Sequence, residues 1–191
     1  ETYSSDWEPY GHDKAYEDAT PSSGGPFPLV LFSPGWGGPI WGHNFLAGRL
    51  ATHGIVVAVM YHYGDAFFPG EQFDHISVAC LNRPLDVTFV LTQLLTRNAN
   101  PGDSIHDLVD PDLIAASGWS LGGFSAMALA GGVDNLGLNT ESELYPEEWP
   151  NPIETYVPIA RDPRIKAIVP LDGSNHATKP STLSLINTRH V

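Results

Sequence analysis

The sequence predicts an α/β domain with a mainly parallel central sheet and helices on both of its faces. Three observations carry this. Nearly unbroken apolar runs, Pro28 to Ser33, Ile55 to Met60 and Ile165 to Leu171, read as strands covered on both sides. Between the first two, Trp41, Phe45, Leu46 and Leu50 fall at helical spacing, so the chain returns for a parallel second strand. Further on, Ile114-Ala115-Ala116-Ser117-Gly118-Trp119-Ser120-Leu121-Gly122-Gly123-Phe124 runs from an apolar segment through a G-x-S-x-G pentapeptide into helix-forming sequence.

Taken in order, residues 1–27 are polar, acidic and rich in Gly, Pro and Ser, and are expected to be irregular. The strand from Pro28 enters Pro34-Gly35-Trp36-Gly37-Gly38, a turn with more glycine than packing requires. A helix is predicted over Trp41 to His53, closed by Gly54, and the strand from Ile55 leads to a long loop, Tyr61 to His75. Pro84 is placed in the first turn of a helix that reaches Arg97 through Leu85, Val87, Val90, Leu91, Leu94 and Leu95. Residues 98–112 read as a polar connection and Leu113 to Ser117 as the strand before the pentapeptide. A small-residue helix, Phe124 to Ala130, follows. Residues 131–158 read as an insertion, and Thr182 to Asn187 as a last strand.

The chain has 191 residues, 42% hydrophobic and 16% charged, enough for one domain over 1–191 with one core. Lys+Arg 9 against Asp+Glu 22 gives a net charge of -13, which argues against nucleic acid or an anionic membrane as partner. The acids of the 134–154 region match no EF-hand spacing and read as solvated surface, so no metal is expected. Cys80 is the one cysteine, which excludes an intramolecular disulfide and thiolate metal clusters. A lone cysteine fits cytoplasm or export; a secreted or periplasmic protein in mature form is the preferred reading. No apolar run approaches the roughly 20 residues of a membrane span.

The pentapeptide is the pattern of a nucleophile elbow. Ser120 would stand at a strained turn, with Gly118 and Gly122 leaving room where a Cβ would strike backbone. A serine needs a base to take its proton and an acid to orient that base. Asp172, ending the strand Ile165 to Leu171, is the candidate acid. Oxyanion donors would be the Leu121 N–H, next to the nucleophile, and the Trp36 N–H in the glycine-rich turn. The rings of Trp36 and Trp119, with His62, Phe67 and Phe68, are candidates to line the substrate.

The base is the difficulty. Of 8 histidines, His190 alone follows Asp172 at the end of a predicted strand, in the order Ser, Asp, His. Only one strand separates it from the acid, whereas the base on such a fold comes from a later one. His176 is too near Asp172, His53 and His106 read as surface, and His43 and His62 as residues that shape the site.

Pro28 to Gly38, His53 to Ala58, His62 to Asp65, Arg83 to Asp86, Gly118 to Gly123 and Asp162 to Asp172 together resemble α/β-hydrolases of the platelet-activating-factor acetylhydrolase and dienelactone-hydrolase-like group. Ser33-Pro34-Gly35-Trp36 and Gly118-Trp119-Ser120-Leu121-Gly122 also resemble cutinase-type polyester hydrolases. The resemblance implies a serine esterase of lipase-like or polyesterase type, working through an acyl-enzyme on Ser120 without cofactor. Its substrate would be a small or polymeric ester. It also implies further strands before Pro28 and after Asn187, so the chain is expected to lack terminal strands, and the true base could lie outside it. A peptidase of the same fold and a non-catalytic binding protein are the rivals. The sequence leaves the oligomeric state open.

Overall fold

The apolar runs form strands where alternation is absent, and they join one sheet. The computed structural model describes residues 16, 18–65, 76–131, 160–172 and 189–190, the last pair by backbone. The strands are β1 (Phe27–Ser33), β2 (Val56–Val59), β3 (Val109–Trp119), β4 (Ala167–Leu171) and the short β5 (Arg189–His190). Their order is β2-β1-β3-β4-β5, and every neighbouring pair is parallel. The helices are α1 (Asn44–Ala51), entered through a 3-10 turn at Ile40–His43, α2 (Ile76–Asn98) and α3 (Leu121–Leu129).

Topology decides which face each helix covers. From β1 the chain steps one way to β2, then crosses back over β1 to reach β3. Right-handed crossovers therefore set α1 and α2 on opposite faces. The step from β3 to β4 continues in the second direction, so α3 joins α2, and these two helices pack on each other. The connections after β1 and β3 thus leave toward opposite faces, which opens a crevice at the C-terminal ends of these two strands.

The core lies between the sheet and the pair α2 and α3. Leu29, Leu31, Ile114, Ala116 and Ile168 of the sheet meet Ala79, Val87 and Leu91 of α2 and Phe124, Ala126 and Leu129 of α3, all buried. Every residue of α3 is buried. A helix apolar on all sides has no solvent face to present. Cys80 belongs to this core, and burial pushes its thiol up to about 12, which favours the protonated form.

Three local expectations are corrected. Pro84 lies inside α2, which begins at Ile76, not in its first turn. An interior proline removes the N–H that would bond the Cys80 carbonyl and costs about 3 kcal/mol. Burial of Leu81, Val87 and Leu91 on both sides of it, at about 1.5–3 kcal/mol for each large apolar side chain, outweighs that cost. Secondly, β3 begins at Val109, within the stretch expected to be a polar connection. Its register with β1 shifts between the pairs Phe27↔Val109 and Leu29↔Ile114, so Asp110 to Leu113 form an irregularity that accommodates Pro111. Thirdly, the helix expected over Trp41 to His53 is a 3-10 turn followed by the shorter α1. Gly54, at φ +74°, turns the chain toward β2, and its N–H bonds the Ala51 carbonyl at 3.0 Å. The strand expected at Thr182 to Asn187 and the insertion expected at 131–158 lie outside the described residues, except for Gly131.

Candidate active site

Ser120 joins β3 to α3 with φ 54° and ψ −116°, a conformation costly for any residue with a Cβ. The surroundings hold it there. Its N–H bonds the Leu171 carbonyl on β4 at 2.9 Å, and its carbonyl accepts the Phe124 N–H at 3.1 Å. The two glycines of the pentapeptide are required by contact. A Cβ on Gly118 would stand 2.6 Å from the Gly122 oxygen, and one on Gly122 would stand 2.6 Å from the Ser33 carbonyl carbon. The elbow is therefore pressed against the end of β1, at the mouth of the crevice that the topology opens.

The turn after β1 lies beside it. A Cβ built on Gly35 would be 3.7 Å from the Ser120 Cβ and 2.8 Å from the Trp119 ring, so only glycine lets this turn approach the elbow so closely. Gly38 donates to the Gly35 carbonyl at 2.9 Å, and Gly37, at φ +67°, donates to the Asp65 carbonyl at 2.9 Å. The backbone of Trp36 is held between these contacts. Trp36 and Trp119 are 46% and 45% exposed, leaving two indole surfaces to solvent next to Ser120. His43 packs on Trp119 with ring centroids 5.7 Å apart and on Phe32 at 5.0 Å, and burial holds its imidazole below the ordinary range.

Asp172 follows Leu171 directly and is exposed, with φ 49°. The pairing Trp119↔Leu171 puts it level with Ser120 on the next strand. His190 is placed differently. Its pairing with Ile168 sets its backbone three positions before Leu171, about 10 Å along the strand from the edge that carries Ser120. This register does not bring His190 to Ser120. Phe67 and Phe68 lie outside the described residues.

His62 requires a correction. Expected to line the substrate, it is 1% exposed, and both ring nitrogens are engaged. Nδ1 lies 2.8 Å from Asp86 Oδ2 on α2, and Nε2 lies 2.8 Å from Ser33 Oγ at the end of β1. With a carboxylate at Nδ1, that nitrogen carries the proton, and Nε2 accepts from the serine hydroxyl. Burial holds the His62 pKa below its ordinary value; the hydrogen bond to Asp86 opposes this and the Arg83 charge adds to it. An imidazole so placed cannot meet a substrate.

Beside it lies an ion pair that the sequence did not reveal. Arg83 on α2, 1% exposed, donates to both oxygens of Asp65 at 2.5 and 2.7 Å. It also donates to the carbonyls of Pro34 and Gly35, the latter at 3.0 Å. Arg83 and Asp65 are 18 residues apart in sequence, so no local pattern links them.

Among the described residues no three His, Cys, Asp or Glu side chains converge as for a metal ion, and no helix is long and apolar enough to cross a membrane. Depressions of about 640 and 430 Å³ lie around Asn98, His106 and Val109 and around Phe27, Gly54 and Leu108. Both are at the opposite end of the sheet from Ser120, whereas ligands of open parallel sheets bind outside the carboxyl ends of the strands.

No family model matches this chain, and no curated protein matches it. Among solved structures it is similar to a ferulic acid esterase from Streptomyces cinnamoneus, at 26% identity and a TM-score of 0.52. That likeness covers 83% of this chain and 39% of the esterase, so the chain spans well under half of its neighbour's length. An all-parallel sheet with helices on both faces, a strained serine turn between β3 and α3, and this structural likeness to an esterase lead to one conclusion: the chain has an α/β-hydrolase fold.

Proposed function

We propose that this chain carries the nucleophile and oxyanion-binding part of a serine ester hydrolase. The observation that supports it most is Ser120 itself, half-buried at positive φ on the carboxyl edge of the sheet, with the glycine-rich turn 34–38 beside it. In this reading the Ser120 hydroxyl attacks the acyl carbon of a carboxylic ester and its proton passes to an imidazole. The Trp36 and Leu121 N–H groups hold the oxyanion. The alcohol leaves with that proton, and water then releases the acid from the acyl-enzyme. Asp172 orients the imidazole. Trp36 and Trp119 wall a flat apolar acyl group, which fits the aromatic acid named for the neighbouring esterase; Phe67 would extend that wall. Within this fold the motifs favour the platelet-activating-factor acetylhydrolase and dienelactone-hydrolase-like group, with polyester substrates as a further class.

One observation favours a second reading, a chain that binds an ester or partner without turnover: β5 pairs His190 with Ile168, about 10 Å along the strand from the edge that carries Ser120. Loss of the base in a serine triad costs about 2 × 10⁶ in kcat. Hydrolysis of a p-nitrophenyl ester and of an aryl-acid methyl ester by the 191-residue chain separates the two. The hydrolase reading expects turnover that Ser120→Ala abolishes. Binding of the ester without turnover would support the second reading.

A further inference from the structure

Five acceptors surround the Arg83 guanidinium, matching its five N–H groups: both Asp65 oxygens, the Pro34 and Gly35 carbonyls, and Ser33 Oγ at 3.5 Å. Three of them belong to consecutive residues at the end of β1 and the start of the glycine-rich turn. From the other side, the Asp65 carbonyl accepts the Gly37 N–H at 2.9 Å. The residues on both sides of Trp36 are therefore gripped by one ion pair, Gly35 by Arg83 and Gly37 by Asp65. A second tie runs parallel to it, from Asp86 through His62 to Ser33. Asp86 lies three residues after Arg83 on α2, and Asp65 lies three after His62 on the loop that follows β2.

We infer that Arg83 and Asp65 are positioning residues that fix the Trp36 peptide beside Ser120. This deepens the ester hydrolase reading and rests on it for its catalytic consequence. Oxyanion stabilisation depends on donors set before the reaction, so a turn free to shift forfeits rate while ground-state binding by the indoles persists. Nothing in the pair needs to touch substrate, since both side chains are buried. The fork is also specific: an ammonium at position 83 keeps the charge but has three N–H donors on one nitrogen, too few to meet the five acceptors that the planar guanidinium spans.

The test has two arms on the full chain. Amide hydrogen exchange of residues 34–38 is compared in wild type and Arg83→Lys, with Arg97→Lys, on the exposed part of the same helix, as control. The expected result is exchange about tenfold faster or more in Arg83→Lys at Gly37 and Gly38, whose N–H groups bond the Asp65 and Gly35 carbonyls, with β3 and β4 unchanged. Unchanged protection in the turn overturns the inference. In the second arm, kcat for an aryl ester falls about 10- to 100-fold with KM within about threefold, and affinity for a boronic acid, which forms a tetrahedral adduct, falls in parallel with kcat. A rise in KM with kcat unchanged overturns it. If Arg83→Lys does not fold, Asp65→Asn, which keeps the size and the Gly37 contact, takes its place in both arms. A wild type that turns over no ester sinks the hydrolase reading alone, because the exchange arm still decides the clamp.

Discussion

Two serines end neighbouring strands of this sheet, and they are opposites. Ser33, at the end of β1, has the hydrogen-bonded sequence of a catalytic triad, with His62 Nε2 at 2.8 Å and Asp86 behind the ring at 2.8 Å. Yet it is 2% exposed, in regular strand conformation, and its carbonyl is covered by Gly122. Ser120, one strand over, has a strained backbone, partial exposure and a glycine-rich turn beside it. In the proposed reading a serine–histidine–carboxylate chain is not sufficient for a nucleophile: access and the elbow decide, and the buried chain ties the end of β1 to α2.

The largest break of this comparison is expected from Ser120→Ala, which should lower kcat for an aryl ester by about 10⁴- to 10⁶-fold with the fold intact by circular dichroism. Ser33→Ala should not reproduce that loss. If it does and Ser120→Ala does not, the roles of the two serines are exchanged.

Gly122→Ala comes next. Its new methyl group would meet the Ser33 carbonyl, a backbone group that cannot swing away, so the unfolding free energy should fall by about 3 kcal/mol or more in denaturant titration. A near-neutral result would mean that β1 and the elbow are not pressed together.

Ser33→Ala itself should cost about 1–3 kcal/mol of stability, because it leaves His62 Nε2 buried without its donor. The same imidazole gives the fold a pH dependence. Burial keeps the His62 pKa below 6.5 in the folded chain, so the unfolded chain takes up the proton first as pH falls. Stability from this site is complete above about 6.5 and is lost as pH drops through that value toward the lower folded one. Arg83, Asp86 and Asp65 face the ring and set how far the folded value lies below it. Denaturant midpoints taken from about pH 8 to about pH 5 should decline in that window, and less steeply in His62→Asn.

The smallest effect is expected for Arg97→Ala. Its pairing with Asp103 at 2.9 Å is exposed, and the melting midpoint should not move measurably.

The sequence carried the elbow because its physics is local. Gly118, Ser120 and Gly122 lie within one turn of chain, and the apolar run before them and the small residues after them are legible by period alone. The position of Asp172, directly after an apolar strand, was legible in the same way. The clamp was not, because its partners come from β1, the loop after β2, and α2, and meet only when the sheet forms. His62 to Asp65 and Arg83 to Asp86 stood out as resemblance motifs, but nothing in the chain tells a buried histidine from one facing substrate. Pro84 misled for a related reason. Proline favours a first turn locally, and packing of Leu81, Val87 and Leu91 overrode that preference.

In the proposed hydrolase Ser120, and not Ser33, is the reactive hydroxyl. Treating the chain with a fluorophosphonate and mapping the adduct by peptide mass spectrometry tests it most directly. One phosphonyl group is expected, on the peptide containing Ser120, and none in Ser120→Ala. An adduct on Ser33, or a folded wild-type chain that takes up no label, would contradict it.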